Sequence, residues 1–210
     1  MFRALRNSWR LLRLALSFAR HDALFPLEIL GIATALIAWV RLFRSRRDRR
    51  RPGERLAAAL QDMGPSFIKL GQALSTRADL LSEEVAADLA RLQDHLPAFP
   101  GSEARATIER ELGQPIDALF ASFDDQPVAA ASIAQVHAAT LVTGEPVVVK
   151  VQRPEIGSLV RRDLRVMSWI APFLIGRIPV AALANPPALV ELFAETIMEE
   201  LDFRLEASNM

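Results

Sequence analysis

Apolar positions recur every three or four residues along most of this chain and alternate in only one stretch. Leu56 and Leu60 open a helix that Gly64-Pro65 breaks, and Phe67, Leu70 and Leu74 give the next helix its apolar face. Val85, Leu89 and Leu92 mark a third, with Ser82 placed to cap it and Pro97 and Pro100 beyond its end. A fourth runs from Ser102 towards Gly113, and Ile116, Leu119, Phe120 and Phe123 read as a further helical turn or two. At Pro127 the period shortens: Ile133 to Leu141 and Val147 to Val151 read as two strands joined by Thr143-Gly144-Glu145, a hairpin. Helical spacing returns after Pro154 and is interrupted by a proline-rich connector from Pro179 to Pro187. A last helix carries Val190, Phe193, Ile197 and Leu201 on one face. The pattern predicts an α+β chain with a small antiparallel sheet.

The N-terminal arm reads differently. Arg3, Arg6, Arg10 and Arg13 interleave with Phe2, Leu5, Trp9, Leu12 and Leu16, a basic amphipathic pattern that suits a membrane interface or a surface helix packed on its own domain. Ile29 to Val40 is uncharged, but at about 1.5 Å per residue it falls short of the roughly 30 Å hydrocarbon core, so it reads as a buried or interfacial helix. It also makes a poor signal peptide, because the apolar run starts late and no small-residue cleavage site comes after it. The arginines crowded between Arg41 and Arg51 suit anionic lipid headgroups; if the apolar run did span, they would place the rest of the chain in the cytoplasm.

Composition sharpens this picture. With 210 residues, 51% of them hydrophobic, the chain can bury one domain plus an appendage. It has no cysteine, which excludes disulfides, iron–sulfur clusters and thiol nucleophiles, and its three histidines leave little for a zinc site. The net charge of zero conceals a division: residues 1–55 carry thirteen arginines against Asp22, Glu28, Asp48 and Glu54, a surplus of nine positive charges, which the remainder balances with nine negative ones. Such segregation points to a polyanionic partner for the arm. Nucleic acid is not expected, since the acidic remainder repels phosphates and no reader fold is evident.

Only two of the 25 basic residues are lysines, Lys69 in Ile68-Lys69-Leu70-Gly71-Gln72 and Lys150 in Val147-Val148-Val149-Lys150-Val151-Gln152-Arg153-Pro154. Lysine offers a compact ammonium that arginine cannot supply. Strand alternation puts Val148 and Lys150 on one face and Val147, Val149 and Val151 on the other. A lysine so placed either snorkels to water or, as in kinases, meets nucleotide phosphates. In Glu200-Leu201-Asp202-Phe203-Arg204-Leu205-Glu206, Asp202 and Glu206 are four apart and on the same helical face, where like charges repel. They either extend the solvated acidic face of Glu191, Glu195 and Glu199 or attract a cation. Ala129-Ala130-Ala131-Ser132 precedes the first strand, where a kinase carries its glycine loop, although small residues there are also ordinary packing. Asp202-Phe203-Arg204 lacks the glycine of a metal-binding Asp-Phe-Gly, and Ser132 with His137 lacks a nucleophile elbow.

Together, Lys69-Leu70-Gly71-Gln72, Ala129 to His137, Val149 to Pro154 and Glu200 to Phe203 with Glu206 resemble the UbiB (ADCK-like) atypical kinases over roughly residues 55–210. The resemblance implies a protein-kinase-like N-lobe with a mainly helical extension, divided as 1–52, 53–126 and 127–210. It implies that Lys150 binds nucleotide phosphates with Glu206 as its salt-bridge partner, and that Ala129, Ala130, Ala131 and Ser132 replace the glycine loop. Val148 stands where many kinases have alanine over the adenine. Lys69, Gly71 and Gln72 would lie on a gating helix that folds over the active site and meets Glu200 and Asp202. ATP and Mg²⁺ are the implied cofactors. Anionic membrane lipids, and a prenylated quinone precursor or members of a biosynthetic complex, are the implied partners, with ubiquinone biosynthesis at the cytoplasmic face of the inner membrane as the setting. Kinase chemistry also needs an Asp for the acceptor and an Asn and an Asp for Mg²⁺ from a second lobe. None is found here, so no catalytic or metal residue is assigned, and the chain reads as an N-terminal half inactive alone. The rival reading is a non-catalytic, membrane-associated lipid-binding or regulatory module.

Overall fold

A computed structural model describes residues 13, 16–23, 50–92, 96–175 and 185–208. Most of the basic amphipathic arm, the apolar run 29–40, the arginines 41–49 and most of the proline connector therefore lie outside the described residues. In chain order the elements are α1 (Pro52–Met63), α2 (Pro65–Ser75), α3 (Glu83–Leu89), α4 (Gly101–Leu112), α5 (Ile116–Leu119), β1 (Phe120–Ala130), β2 (Ala134–Leu141), β3 (Pro146–Gln152), α6 (Ile156–Leu174), α7 (Pro186–Glu200) and α8 (Phe203–Ser208). They fall into two compact units, one of residues 1–93 and 160–210 and the other of residues 94–159. No helix among the described residues is long and apolar enough to cross a membrane.

The first unit is helical. Arg51 precedes α1, and the Glu54 carboxylate accepts its backbone N–H at 3.0 Å; that bond, above all, holds the Glu54 carboxyl below its ordinary value. Pro52 begins the helix, where a missing N–H costs nothing. Gly64, at φ 102°, then turns the chain into α2. Ser82 caps α3 by accepting the Val85 N–H at 3.3 Å. A short helical stretch at 16–20 is tied to α1, where Ser17 Oγ donates to the Ala59 carbonyl at 3.3 Å and Asp22 pairs with Arg55. The expected face of α2 is shifted. Ser66, Phe67, Ile68 and Gly71 are buried while Leu70 and Leu74 are half-buried, because α2 packs against α1, α3 and α7 rather than on one side only. Ser66 Oγ donates at 2.9 Å to the Asp163 carboxylate of α6, both side chains fully buried.

The second unit is a three-stranded antiparallel sheet in the order β1-β2-β3, covered by α4 and α5. Phe99, Ala104, Ile108, Ile116, Phe120, Ala139 and Val151 form its core, with Val147 and Val149 packed against it. One correction concerns Phe120 and Phe123, which belong to a strand and not to a helical turn. β1 pairs with β2 from Phe120↔Leu141 to Ala130↔Gln135, with irregular register between Phe120 and Ser122, between Phe123 and Pro127, and between Pro127 and Ala129. Each bulge adds residues that the partner strand lacks and resets the pleat. The more buried positions of β1 therefore fall at Phe120, Phe123, Pro127 and Ala130, three or four apart, and imitate a helix.

A second correction concerns the C-terminal acidic segment. α7 ends at Glu200, Leu201 follows as its cap, and a new helix starts at Phe203. The Asp202 carboxylate accepts the Arg204 N–H at 3.0 Å, which initiates α8, so Asp202 and Glu206 do not share one continuous helix.

Close approach of α1 to α3 depends on Gly53. A β-carbon there would lie 2.6 Å from Asp88 Cβ and 3.0 Å from Val85 Cα, and Asp88 is itself buried and ion-paired with Arg51. Gly53→Ala is expected to cost about 1–3 kcal/mol through forced separation of the two helices. A urea-denaturation midpoint equal to that of the unaltered chain would refute this packing.

Candidate functional site

β3 sets the geometry of the second unit's exposed sheet face. Val151 is buried and Val147 and Val149 are half-buried against the core, so Val148 and Lys150 must face outward; Val148 is 71% exposed. Directly paired residues in adjacent strands share a face. Lys150 pairs with Val136, and Val136 pairs with Ala129, so Ala129, Val136 and Lys150 form one row across the three strands. Val148 lies in the row beside it, opposite Ala138. At about 4.8 Å per strand, Ala129 and Lys150 are separated by roughly 10 Å across this face. Three of the expected nucleotide residues thus share this face, Ala129 near the end of β1 and Val148 and Lys150 on β3, whereas Ala130 pairs with the buried Gln135 and faces inward.

Ala131 to Ile133 connect β1 to β2, and the Ala131 N–H donates to the Ala134 carbonyl at 2.8 Å. Ala129 is exposed, Ala130 and Ala131 are half-buried, and Ser132 is fully buried. Alanine at these positions keeps the connection small without the backbone freedom of glycine.

Two residues of this motif hold the scaffold together, and their roles were not apparent from the sequence. Gln135 is buried; its Oε1 accepts the Phe99 N–H at 3.1 Å and its Nε2 donates to the Phe99 carbonyl at 3.2 Å, so the side-chain amide pairs with the backbone as a strand would. His137 is fully buried, stacked on Phe123 with ring centroids 4.9 Å apart. Its Nδ1 lies 2.8 Å from the Asp124 carbonyl, which can only accept, so Nδ1 carries the proton. Nε2 then accepts from Gln135 Nε2 at 2.8 Å. His137 is thereby a neutral structural side chain with both nitrogens satisfied. The sequence signal was parity: Gln135 and His137 share the inward face of β2 with Ala139, and polar residues at such positions need partners.

The first unit brings together a second set. Lys69, on α2, and Glu200, at the end of α7, form an ion pair of 2.9 Å, with side chains 17% and 40% exposed. Gln72 Nε2 reaches the Leu92 carbonyl at 3.5 Å, the long limit of a hydrogen bond. A β-carbon on Gly71 would lie 2.5 Å from Leu92 Cδ1 and 2.9 Å from Leu60 Cδ1, so Gly71 lets those leucines close over α2. Asp202 and Glu206 are exposed. Glu206 belongs to this unit and Lys150 to the other. Among the described residues no group of three or more His, Asp or Glu side chains could hold a metal ion.

A family model described as the ABC1 atypical kinase-like domain matches residues 91–210. Among curated relatives, a protein of Marinobacter nauticus named "Probable protein kinase UbiB" is 44% identical over 206 residues, covering 95% of this chain and 37% of its own length. Proteins of the same name from Shewanella baltica and Shewanella pealeana are 40% and 42% identical, covering 98% and 99% of this chain and 38% of their own lengths. The chain therefore spans less than two-fifths of the length of these relatives.

Two outcomes follow from the geometry. Gln135→Leu keeps the volume but strips both partners from Phe99 and one from His137, and is expected to cost about 2–3 kcal/mol because buried polar groups are left unpaired; an unchanged melting temperature would contradict the pairing described. For Lys69 and Glu200, a double-mutant cycle with Lys69→Met and Glu200→Gln is expected to give a coupling of about 0.5–1 kcal/mol, reduced at high salt. A coupling of zero at low salt would remove the pair as a contact in solution.

Proposed function

Because the chain belongs to the ABC1 atypical kinase-like family, we propose that it forms the nucleotide-binding part of a UbiB-type ATP-dependent kinase or ATPase that supports ubiquinone biosynthesis at a membrane. The observation that supports this reading most is the outward row of Ala129, Val136 and Lys150, with Val148 beside it, next to the short connection Ala131 to Ile133. That face offers an ammonium for phosphate oxygens, a flat apolar strip for a purine ring, and a tight connection able to approach an anion. The donor set fits a nucleoside triphosphate. Lys150 would hold the phosphates, Val148 would bear on the adenine, and Glu206 would steady Lys150.

ATP, when bound, would supply the phosphoryl group. The acidic ligands for its Mg²⁺ are assigned to the part of the relatives' length that this chain does not span. Lys69 and Glu200, joined through α2 and α7, would form the gating pair, with Gly71 and Gln72 fixing α2 and with Asp202 at the start of α8. The basic arm would meet anionic lipid at the cytoplasmic face of the inner membrane, near a prenylated quinone precursor or the proteins that process it.

In the full-length protein, Lys150→Ala is expected to weaken binding of ATP·Mg²⁺ by about tenfold or more, measured by calorimetry, through loss of a charge-assisted contact. Equal affinity would overturn the nucleotide reading. For the arm, flotation with phosphatidylglycerol vesicles is expected to retain the full chain and to lose it on deletion of residues 1–55. Flotation that survives the deletion would place lipid recognition elsewhere.

A further inference from the structure

The last arginine of the Val149-to-Pro154 motif has no role in the reading above, yet its donors converge on one turn. Arg153 follows β3 and lies three residues beyond Lys150. Its Nε sits 3.3 Å from the Ala131 carbonyl and 3.2 Å from the Ser132 carbonyl. Its Nη2 donates to the Ala131 carbonyl at 3.0 Å and to the Pro97 carbonyl at 2.9 Å, and its own backbone N–H donates to the Ile133 carbonyl at 2.9 Å. The guanidinium also lies over the Phe99 ring, 5.5 Å from its centroid. One residue thus binds three consecutive carbonyls of the connection between β1 and β2.

Because a trans peptide is planar with N–H opposite C=O, the guanidinium's hold on the carbonyls of Ala131 and Ser132 fixes the directions of the Ser132 and Ile133 N–H groups, while the backbone N–H of Arg153 holds the Ile133 carbonyl. Without the cation the carbonyls of Ala131 and Ser132 would lose the partner that fixes them, and any anion would have to order the turn on binding. Lysine cannot reproduce the arrangement, since a single ammonium lacks the planar fork that reaches two carbonyls and a third group at once. Arg153 is also poorly placed as a phosphate ligand, because Nε and Nη2 are already engaged.

We infer that Arg153 is a positioning residue for nucleotide binding: it clamps the alanine-rich turn to the end of β3, so that the turn and Lys150 present themselves to the phosphates as one preorganised body. This inference rests on the nucleotide reading, and it adds to that reading a residue that acts through the turn rather than on the ligand. In the full-length protein, Arg153→Ala and Arg153→Lys are compared with Lys150→Ala, by amide hydrogen exchange without nucleotide and by calorimetry with ATP·Mg²⁺.

The expected result is that Arg153→Ala speeds exchange at Ser132 and Ile133 by about tenfold, leaves exchange in α4 and β2 unchanged, and weakens ATP·Mg²⁺ about tenfold, the effect of losing a charge-assisted cluster. Millimolar guanidinium, but not sodium chloride at equal ionic strength, is expected to restore both readouts, and Arg153→Lys to restore neither. Unchanged exchange at Ser132 and Ile133 overturns the clamp. Faster exchange with full ATP affinity overturns its role in nucleotide binding while the Lys150 reading stands. Exchange raised throughout the unit, without rescue, makes Arg153 a general structural residue and overturns the proposal. If the unaltered protein binds no ATP·Mg²⁺, the nucleotide reading and this role fall together, and the exchange data still show whether the turn is clamped.

Discussion

The pleat of β3 is the constraint on which the rest of the second unit depends. Val147, Val149 and Val151 can leave water only by facing Phe99, Ile108, Ile116 and Phe120; the buried Val151 contributes about 1.5–3 kcal/mol and the half-buried Val147 and Val149 less. Lys150 sits between two of them and so must face outward. A slip of one residue would expose the valines and bury the ammonium, which neither the hydrophobic effect nor the desolvation of a charge allows. The position of the lysine is therefore set by its neighbours' apolar burial, whatever its ammonium touches, and a ligand that arrives at the ammonium leaves that placement intact. The same register places Ala129 in its row, since pairing from β3 through β2 to β1 is continuous there.

Much of this was legible in the sequence. Unbroken helical spacing gave α1, α3, α4 and α7 to within a few residues, the cap at Ser82 and the stop at Gly113 included, because those elements bury a face and end at residues with a single physical reading. The hairpin of β2 and β3 was equally plain, since two-residue alternation meets a turn at Gly144. What was hidden shares a cause: the information lay in a partner and not in the segment. β1 shows helical spacing because its bulges are defined against β2. The break at Leu201-Asp202 is invisible to periodicity, since Asp202 is as acceptable mid-helix on charge grounds as it is at the start of α8, where it bonds the Arg204 N–H.

The site divides the same way. Lys69 and Lys150 stand out by composition, because they are the only two lysines in a chain whose basic residues are otherwise arginine. Gln135 and Arg153 do not stand out, although more of the local structure hangs on them. Gln135 substitutes for backbone in joining the segment at Phe99 to the sheet, and Arg153 gathers carbonyls that a tight connection cannot satisfy by itself. Both act on main-chain atoms, which carry no residue identity, so no spacing of side chains advertises them. A polar residue at an inward strand position, or an arginine directly after a strand beside a small-residue turn, is the nearest available sign.

Lys69 and Glu200 raise a separate question of magnitude. Their separation is short, but with Glu200 two-fifths exposed the pair contributes on the order of 0–1 kcal/mol, close to the entropy of holding the two side chains. What keeps α2 in the first unit is the burial of Phe67 and Ile68, the approach permitted at Gly71, and the Ser66 hydroxyl bound to Asp163 in a site closed to water. The ion pair fixes how α2 and α7 are aligned more than whether they meet. A contact that stabilises weakly can be lost without unfolding the helices around it. Lys69 differs in this from Lys150, whose place is set by the sheet.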